Sequence, residues 1–154
     1  MQREEFINAK RIVIKLGTNV LRNEDGEVAI SRIYSFIEDM SKLVKEGKEV
    51  ILVTSGAVGL GKKKLNLDST AEDGVKQACA AVGQSRLMSF YENGFGIYDV
   101  PIAQILLTED DFSLRYRYLS LRTTLNKILE FGVVPIINQN DTVSTIEMNP
   151  MMAG

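Results

Sequence analysis

The chain has 154 residues, a length that suits one domain, and 45% of them are hydrophobic and 25% charged. This is the balance of a folded globular protein rather than of a disordered segment. Its 18 basic and 20 acidic residues give a net charge of -2, without the basic footprint of a nucleic-acid-binding protein. There is no histidine and one cysteine, Cys79. These counts exclude histidine acid–base catalysis, histidine-ligated zinc and an intrachain disulfide.

No stretch of the sequence approaches the roughly 18 apolar residues that span a bilayer. The first residues, from Met1 to Asn8, include acids where a secretory signal needs a basic and then an apolar region. We therefore expect a cytoplasmic protein with no membrane and no nucleic acid among its partners.

Short apolar runs rich in Val and Ile alternate along the chain with stretches of helical periodicity. The first run precedes Gly17, and a helix capped by Ser31 follows and ends before Gly47. A second helix, broken near Gly83, and a third that ends before Gly132 separate the remaining runs. The predicted strands span 11–16, 49–53, 100–107 and 132–137, and the predicted helices span 31–46, 71–91 and 114–131.

This order predicts an α/β fold whose mainly parallel sheet is covered by helices on both faces. Pro101 and Pro135 fall within the last two runs, although proline prefers edge strands and strand starts. Each run is followed by small or polar residues. Since the carboxyl ends of parallel strands lie at one edge of a sheet, where ligands bind, the sequence predicts a binding site along that edge.

Lys15 stands inside the apolar run Ile12–Leu16, just before Gly17. A buried ammonium group without a partner is costly, so we expect Lys15 to meet a phosphate or carboxylate rather than to be simply exposed. The alternative is a lysine at a strand end whose charge reaches water. Gly17 would let a phosphate approach the backbone.

The segment Thr54–Lys62 follows the second run, and its consecutive small residues open a helix. Backbone N–H groups at such a start bind anions. A glycine-rich turn followed by solvated lysines is an equal alternative. The segment nearly matches a Walker A loop, but Lys63 stands where that loop requires a magnesium-binding Ser or Thr.

Two other polar loops have structural interpretations. In the segment Asn138–Asp141, Asp141 could bind an ammonium group or help to orient a metal, but Asx turns are the slightly favoured interpretation of this segment. The acids around Asp111 are typical of the cap of the following helix. Cys79 is predicted to be a small buried residue on a helix. We assign no metal-ligating residue.

Five segments resemble the motifs of one family in that family's order. They are Arg11–Leu21, Val53–Gly59, Lys76–Leu87, Gln104–Thr108 and Val134–Asp141, and the family is that of the glutamate 5-kinases. The resemblance covers roughly residues 10–147. Five ordered motifs are far more specific than a single glycine-rich loop, and they imply the αβα sandwich of the amino-acid kinases.

The resemblance implies that ATP phosphorylates the side-chain carboxylate of L-glutamate to give glutamyl 5-phosphate, the first step of proline biosynthesis. It also implies Mg²⁺ accompanying ATP, feedback inhibition by proline, and a homo-oligomer. Phosphoryl transfer depends mainly on positioning and electrostatics, so the absence of histidine is compatible with it.

The resemblance assigns roles to five residues of this sequence. Lys15 would contact the ATP phosphates and offset charge on the transferred group, which makes it both a catalytic and a cofactor-binding residue. Gly17 would leave room for phosphate. Ser55 and Gly56 would bind glutamate, and Asp141 would bind glutamate through its ammonium group.

The sequence departs from the family pattern after Glu147, where Met148–Gly154 stands in place of a Gly-Asp-Asn-Asp loop. We therefore expect residues 1–147 to form the N-terminal, glutamate-binding part of a kinase domain that is truncated before its nucleotide-binding half. Residues 148–154 would be an atypical tail. This favours an incomplete and inactive portion of a kinase. The alternative is a non-catalytic glutamate-binding or oligomerisation module derived from one.

Overall fold

The computed structural model describes residues 8–23, 28–72 and 74–143. Strands and helices alternate in the predicted order. The strands are β1 (Arg11–Leu16), β2 (Glu49–Thr54), β3 (Ile102–Leu107) and β4 (Val134–Gln139). The helices are α1 (Thr18–Leu21), α2 (Ile30–Lys45), α3 (Ala57–Lys64), α4 (Val75–Gly96), α5 (Asp110–Ser113) and α6 (Arg115–Glu130).

The strands form one sheet in the order β1-β2-β4-β3, and every neighbouring pair is parallel. β1 pairs with β2 along its whole length, whereas β2 and β4 pair only at Leu52 with Ile136 and at Val53 with Ile137. β1 and β3 are therefore the two edges. The predicted α/β fold with a parallel sheet is confirmed.

The main core lies between one face of the sheet and the helices α2 and α4. Leu52 of β2 and Ile136 of β4 are fully buried there. Because side chains alternate between the faces of a strand, every second residue of these strands enters the core. The helices contribute residues at intervals of three and four positions: Ile33, Ile37, Met40, Leu87, Tyr91 and Phe95. Cys79 of α4 is buried, as predicted.

Helix α6 covers part of the opposite face. Leu129 of α6 is buried on this side of the sheet, as is Ile51 of β2. At the start of β1, Arg11 Nη2 donates a 3.3 Å hydrogen bond to Asn126 Oδ1 of α6. Further along β1 this face is open, and Val13 is 62% exposed. The sheet is thus covered on both faces at its centre but only on one face along β1.

Helices α3 and α4 cross with their backbones in contact at Gly61 and Gly83. A Cβ atom at Gly83 would lie 1.7 Å from the carbonyl oxygen of Ala57, and one at Gly61 would lie 1.8 Å from that of Cys79. The predicted break near Gly83 is wrong, because α4 is continuous from Val75 to Gly96. Gly83 allows the backbone of α3 to approach α4 closely, and it does not interrupt α4.

The start of one helix also differs from the prediction. Ser31 does not cap α2; Ala29 holds the N-cap position, and its buried methyl side chain cannot make a capping hydrogen bond. The third predicted helix is confirmed as α6, and α5 is a short additional turn before it, separated from α6 by the extended backbone of Leu114. The end of α2 before Gly47 is confirmed, with a φ of 83° at that glycine.

The two prolines are accommodated in different ways. Pro101 precedes edge strand β3, whereas Pro135 lies within central strand β4. The N–H of Val134 points to the β3 side, because it donates to Pro101 O. Since backbone groups alternate in direction along a strand, the backbone of Pro135, which has no N–H, faces β2. Pairing with β2 begins only at Ile136, and the proline therefore interrupts no hydrogen bond. The predicted boundary between residues 147 and 148 lies outside the described residues.

Candidate functional site

The carboxyl ends of the strands form one edge of the sheet, as the parallel order requires. In the pairing register, Lys15 lies beside Val53, and Val53 lies beside Ile137. Ser55 and Asp141 follow these positions along β2 and β4, and Gly17 follows β1. The five sequence-predicted site residues thus lie at or just beyond the same edge of the sheet.

Lys15 is exposed, and the expectation that it would not be simply exposed is wrong. It lies on edge strand β1, on the face that α6 leaves open, where its side chain reaches water. This agrees with the alternative of a strand-end lysine that extends into solvent. Its contact with a phosphate stays a prediction.

Gly17 has open space in front of it. Its φ is -76°, which any residue adopts, and a Cβ atom there would meet no other atom within 4 Å. Neither the backbone conformation nor a neighbouring side chain of the described chain requires glycine at this position. A ligand that approaches the backbone would require it.

The first two strand ends are joined by side-chain hydroxyl groups. Ser55 Oγ donates a 3.4 Å hydrogen bond to the carbonyl oxygen of Leu16 and lies 3.1 Å from Thr18 Oγ1. Either hydroxyl can be the donor in the contact between Ser55 and Thr18, and a hydroxyl oxygen has two acceptor lone pairs. Ser55 keeps acceptor capacity at the edge of the sheet.

Gly56 turns the chain from β2 into α3. Its φ of 93° lies in the left-handed region, which favours glycine, and it is the N-cap of α3. The sequence prediction that this segment opens a helix is confirmed. The first N–H groups of α3 therefore start directly beside Ser55, although an anion bound to them stays a prediction.

A charged side chain lies across this helix. A Cβ atom at Gly59 would be 1.6 Å from Arg22 Nη2, so the guanidinium group occupies the place where a side chain of residue 59 would begin. Arg22, Gly56 and Leu60 line the same small cavity beneath the edge. The sequence analysis did not identify Arg22, because its contact with Gly59 depends on the fold.

Below Ser55, the end of β2 is attached to α4 by a buried hydrogen bond. Thr54 Oγ1 lies 2.7 Å from the hydroxyl oxygen of Tyr91, and Thr54 is 4% exposed. Burial raises the pKa of Tyr91 to about 12, and the hydrogen bond with Thr54 opposes that rise. Tyr91 therefore stays neutral at physiological pH and supports the strand end.

The segment after β4 carries Asp141, which is half-buried. Asn140 donates its N–H to the carbonyl oxygen of Leu107 at 2.8 Å, which holds the segment against the end of β3. Asn138 is 7% exposed and points into the protein, where its Nδ2 donates a 2.8 Å hydrogen bond to Gln84 Oε1. Sequence reasoning placed Gln84 in a family motif but gave it no role.

The acids after β3 have a structural role, but they do not cap a helix as predicted, since neither α5 nor α6 has a side-chain hydrogen bond at its N-cap. Asp111 Oδ2 accepts hydrogen bonds from the N–H and the hydroxyl of Thr108 at 2.7 and 3.0 Å, and Arg117 pairs with Oδ1 at 2.8 Å. The Thr108 N–H is the main cause that lowers the pKa of the Asp111 carboxyl group below its ordinary value. Asp111 therefore fixes the turn between β3 and the helices α5 and α6.

A groove of about 650 Å³ lies beside β3, between this edge strand and α4. Gln84, Ser85 and Met88 of α4 line one side, and Gln104 and Leu106 of β3 line the other. Thr142, next to Asp141, lines the end of the groove that is nearest to the candidate site.

In residues 8–23, 28–72 and 74–143 there is no group of three acidic or cysteine side chains that could hold a metal ion. No helix in this part of the chain is long and apolar enough to cross a membrane.

Comparison with known proteins bears on these motifs directly. Residues 10–149 match the amino acid kinase family. The chain is 49% identical to the glutamate 5-kinase of Desulfotalea psychrophila over 150 residues, which are 96% of this chain and 40% of that protein. It is 40% identical over 149 residues to the glutamate 5-kinase of Pelobacter propionicus, with the same shares of each chain.

A third relative, the glutamate 5-kinase of Caldanaerobacter subterraneus, is 45% identical over 139 residues, or 90% of this chain and 37% of the relative. The chain thus spans about 40% of the length of the curated relatives it matches. The family match extends over nearly the whole sequence and includes every strand of the sheet. The chain belongs to the amino acid kinase family.

Proposed function

We propose that the chain is the glutamate-binding portion of a glutamate 5-kinase. The reaction transfers the γ-phosphoryl group of ATP to the side-chain carboxylate of L-glutamate and forms glutamyl 5-phosphate, the first step of proline biosynthesis, in the cytoplasm. The observation that carries this proposal is the 49% identity to a glutamate 5-kinase over 96% of the chain. Feedback inhibition by proline belongs to the same proposal.

The proposed roles follow the positions of the residues at the edge of the sheet. The charge of Lys15 reaches solvent, where it meets the phosphates of ATP and offsets charge on the transferred group. The open space at Gly17 admits phosphate close to the backbone. ATP, with Mg²⁺ bound to its phosphates, supplies the phosphoryl group. Ser55 and Gly56 bind glutamate, and Asp141 pairs with its ammonium group.

We further propose that the chain self-associates through edge strand β3, which carries no charged residue, whereas edge strand β1 does. Edge strand β1 carries Arg11 and Lys15, and charged residues on an edge discourage pairing with another strand. Edge strand β3 has the sequence Ile-Ala-Gln-Ile-Leu-Leu, without a charge. Natural proteins seldom leave such an edge uncovered. A second copy of the chain is the occupant we propose, and sedimentation as a monomer at micromolar concentration would contradict it.

A second function is a non-catalytic glutamate-binding or oligomerisation module. We expect the 154-residue chain alone to form negligible ADP from ATP and glutamate. Glutamate-dependent ADP formation well above background, lost on Lys15→Ala, would show instead that the chain is an enzyme by itself.

Calorimetric titration with L-glutamate tests the binding site shared by both functions. We expect Asp141→Ala to weaken binding about tenfold or more, since a hydrogen bond to a charged group contributes roughly 1.5–3 kcal/mol. The matched control is Asp110→Ala, which removes an exposed carboxylate near the same edge. Unaltered affinity of Asp141→Ala would exclude its role, and no binding by the unmodified chain would exclude a glutamate site in it.

A chimera separates the kinase from the binding module. Residues 1–143 are joined to the part of the Desulfotalea psychrophila glutamate 5-kinase that follows the aligned position. The kinase proposal requires glutamate-dependent ADP formation by the chimera and its loss on Lys15→Ala. A folded chimera that binds glutamate and forms no ADP would favour the module.

A further inference from the structure

Three side-chain amides form a continuous chain of hydrogen bonds from the groove to the candidate site. Asn138 Nδ2 donates to Gln84 Oε1 at 2.8 Å, and Gln84 Nε2 donates to Gln104 Oε1 at 3.0 Å. At the inner end, Asn138 Oδ1 accepts the backbone N–H of Gln139 at 2.9 Å. Gln84 and Asn138 are 9% and 7% exposed. This chain of hydrogen bonds connects α4, β3 and β4.

The inner end satisfies a backbone group that the sheet leaves without a strand partner. Val134 and Asn140 donate their N–H groups to β3, so by alternation the N–H of Gln139 points to the β2 side. Pairing between β2 and β4 ends at Val53 with Ile137. The N–H of Gln139 has no acceptor from a strand on that side, and the Asn138 side chain provides one.

This one N–H determines the orientation of all three amides. A primary amide has an acceptor end and a donor end, and only one end can face the fixed donor of Gln139. Asn138 therefore presents its oxygen to Gln139 and its nitrogen to Gln84. Gln84 must then accept from Asn138, which leaves its nitrogen for the oxygen of Gln104. Reversing any amide would bring two donors or two acceptors together.

We propose that Gln84 is a positioning residue that holds Asn138 in this orientation and thereby fixes the path of the chain from Gln139 to Asp141. Within this segment, the backbone is also held by the hydrogen bond from Asn140 N–H to Leu107 O. Gln84 acts from α4, and its effect reaches Asp141 only through Asn138. Any effect of Gln84 on glutamate binding rests on the proposed function, whereas its effect on the backbone path from Gln139 to Asp141 does not.

Amide hydrogen exchange in the 154-residue chain tests the proposal. In Gln84→Met, which keeps the side-chain length, cannot donate and accepts only weakly, we expect the Gln139 N–H to exchange about fivefold to tenfold faster. The Leu52 amide, in the centre of the sheet, reports global opening and should change less. The matched control is Gln104→Met, which removes the outer partner and leaves the bond between Gln84 and Asn138 in place.

A conservative variant provides the rescue. In Gln84→Glu, the carboxylate can still accept from Asn138 Nδ2, and the Gln104 amide can turn to donate to it. We expect Gln139 protection close to that of the unmodified chain. If Gln84→Met does not fold, Gln84→Asn, whose side chain is one methylene shorter, is measured instead by the same criteria.

The proposal is overturned if Gln139 exchange is unchanged without the Gln84 amide, or if it rises only as much as that of Leu52. Equal acceleration in Gln104→Met and Gln84→Met, or no protection in Gln84→Glu, would also overturn it. A parallel titration with L-glutamate keeps the two proposals separate. If the Asp141 amide resonance does not respond to glutamate, the proposed function fails while the exchange result still decides the role of Gln84.

Discussion

The hydroxyl groups of Thr54 and Tyr91 lie 2.7 Å apart inside the core, where Tyr91 is fully buried. The contact attaches the carboxyl end of β2, which leads into Ser55 and Gly56, to the C-terminal part of α4. Removing one member leaves the other buried without this partner, which costs more than the bond itself contributes. The support for the site therefore depends on both residues.

Tyr91→Phe is expected to lower the free energy of unfolding by about 1–3 kcal/mol, because it leaves the Thr54 hydroxyl buried without its partner. Thr54→Val, with a similar shape, should cost a comparable amount. The double variant should cost clearly less than the sum of the two, because neither hydroxyl then remains. Urea denaturation of all four proteins measures this, and strictly additive effects would contradict the coupling.

The raised pKa of Tyr91 predicts a dependence of stability on alkaline pH. Its folded-state pKa of about 12 lies above the ordinary value of 10.0. The neutral form is thus favoured by folding, and its stabilising contribution is present below pH 10 and is lost as pH rises toward 12. Each pKa unit corresponds to about 1.4 kcal/mol. The unfolding free energy of the unmodified chain should therefore fall more steeply over this range than that of Tyr91→Phe.

Asp111 predicts an acid-side dependence of opposite sign. Its folded-state pKa is lowered, mainly by the Thr108 N–H, so its contribution is present above the ordinary value of 3.8 and is lost as pH falls below it. Asp111→Asn should be less stable than the unmodified chain at pH 7, and the difference should shrink in acid. Thermal unfolding across this range measures it, and a difference that does not vary with pH would contradict the charged role of Asp111.

Gly83→Ala is expected to be strongly destabilising, by about 2 kcal/mol or more, because the added methyl group meets the backbone of α3 rather than a flexible side chain. Gly96→Ala is the matched control in the same helix, because a Cβ atom there meets nothing within 4 Å. It should be neutral or slightly stabilising. Chemical denaturation compares the two, and equal effects would show that the close approach of α3 is not the cause.

Neighbouring residues of β1 should differ sharply in their effect on stability. Lys15→Ala removes an exposed side chain and should change the unfolding free energy by less than about 0.5 kcal/mol. Leu16→Ala removes a side chain that is 3% exposed and should cost about 2–5 kcal/mol. A large loss of stability in Lys15→Ala would mean that any loss of ligand binding in that variant could not be assigned to its charge.

The sequence was sufficient to predict the strands, the parallel order and the edge of the sheet that carries the polar residues. These follow from local patterns, since apolar runs and small residues at their ends are visible in one dimension. The role of Gly83 was missed because a helix-breaking residue and a residue at a close helix crossing look alike until both helices are placed. The exposure of Lys15 was missed because an apolar run on an edge strand resembles one in the centre.

The amide chain illustrates a second limit. Gln84 and Asn138 are 54 positions apart, and neither has a pattern that identifies the other. Their pairing depends on how α4 packs against β4, and that is a property of the fold rather than of either segment. Two different family motifs include Gln84 and Asn138, but only the three-dimensional structure shows that their side chains are hydrogen-bonded.

The contact between Arg22 and Gly59 has a consequence for how sequences of this kind can vary. A methyl group at position 59 would meet only the far end of a flexible side chain, so Gly59→Ala can be accommodated by moving the guanidinium group with the backbone in place. A single neutral substitution would therefore relocate a positive charge beside the glycine turn that follows β2. Positions 22 and 59 are consequently coupled, because a side chain at position 59 changes where the charge of Arg22 lies.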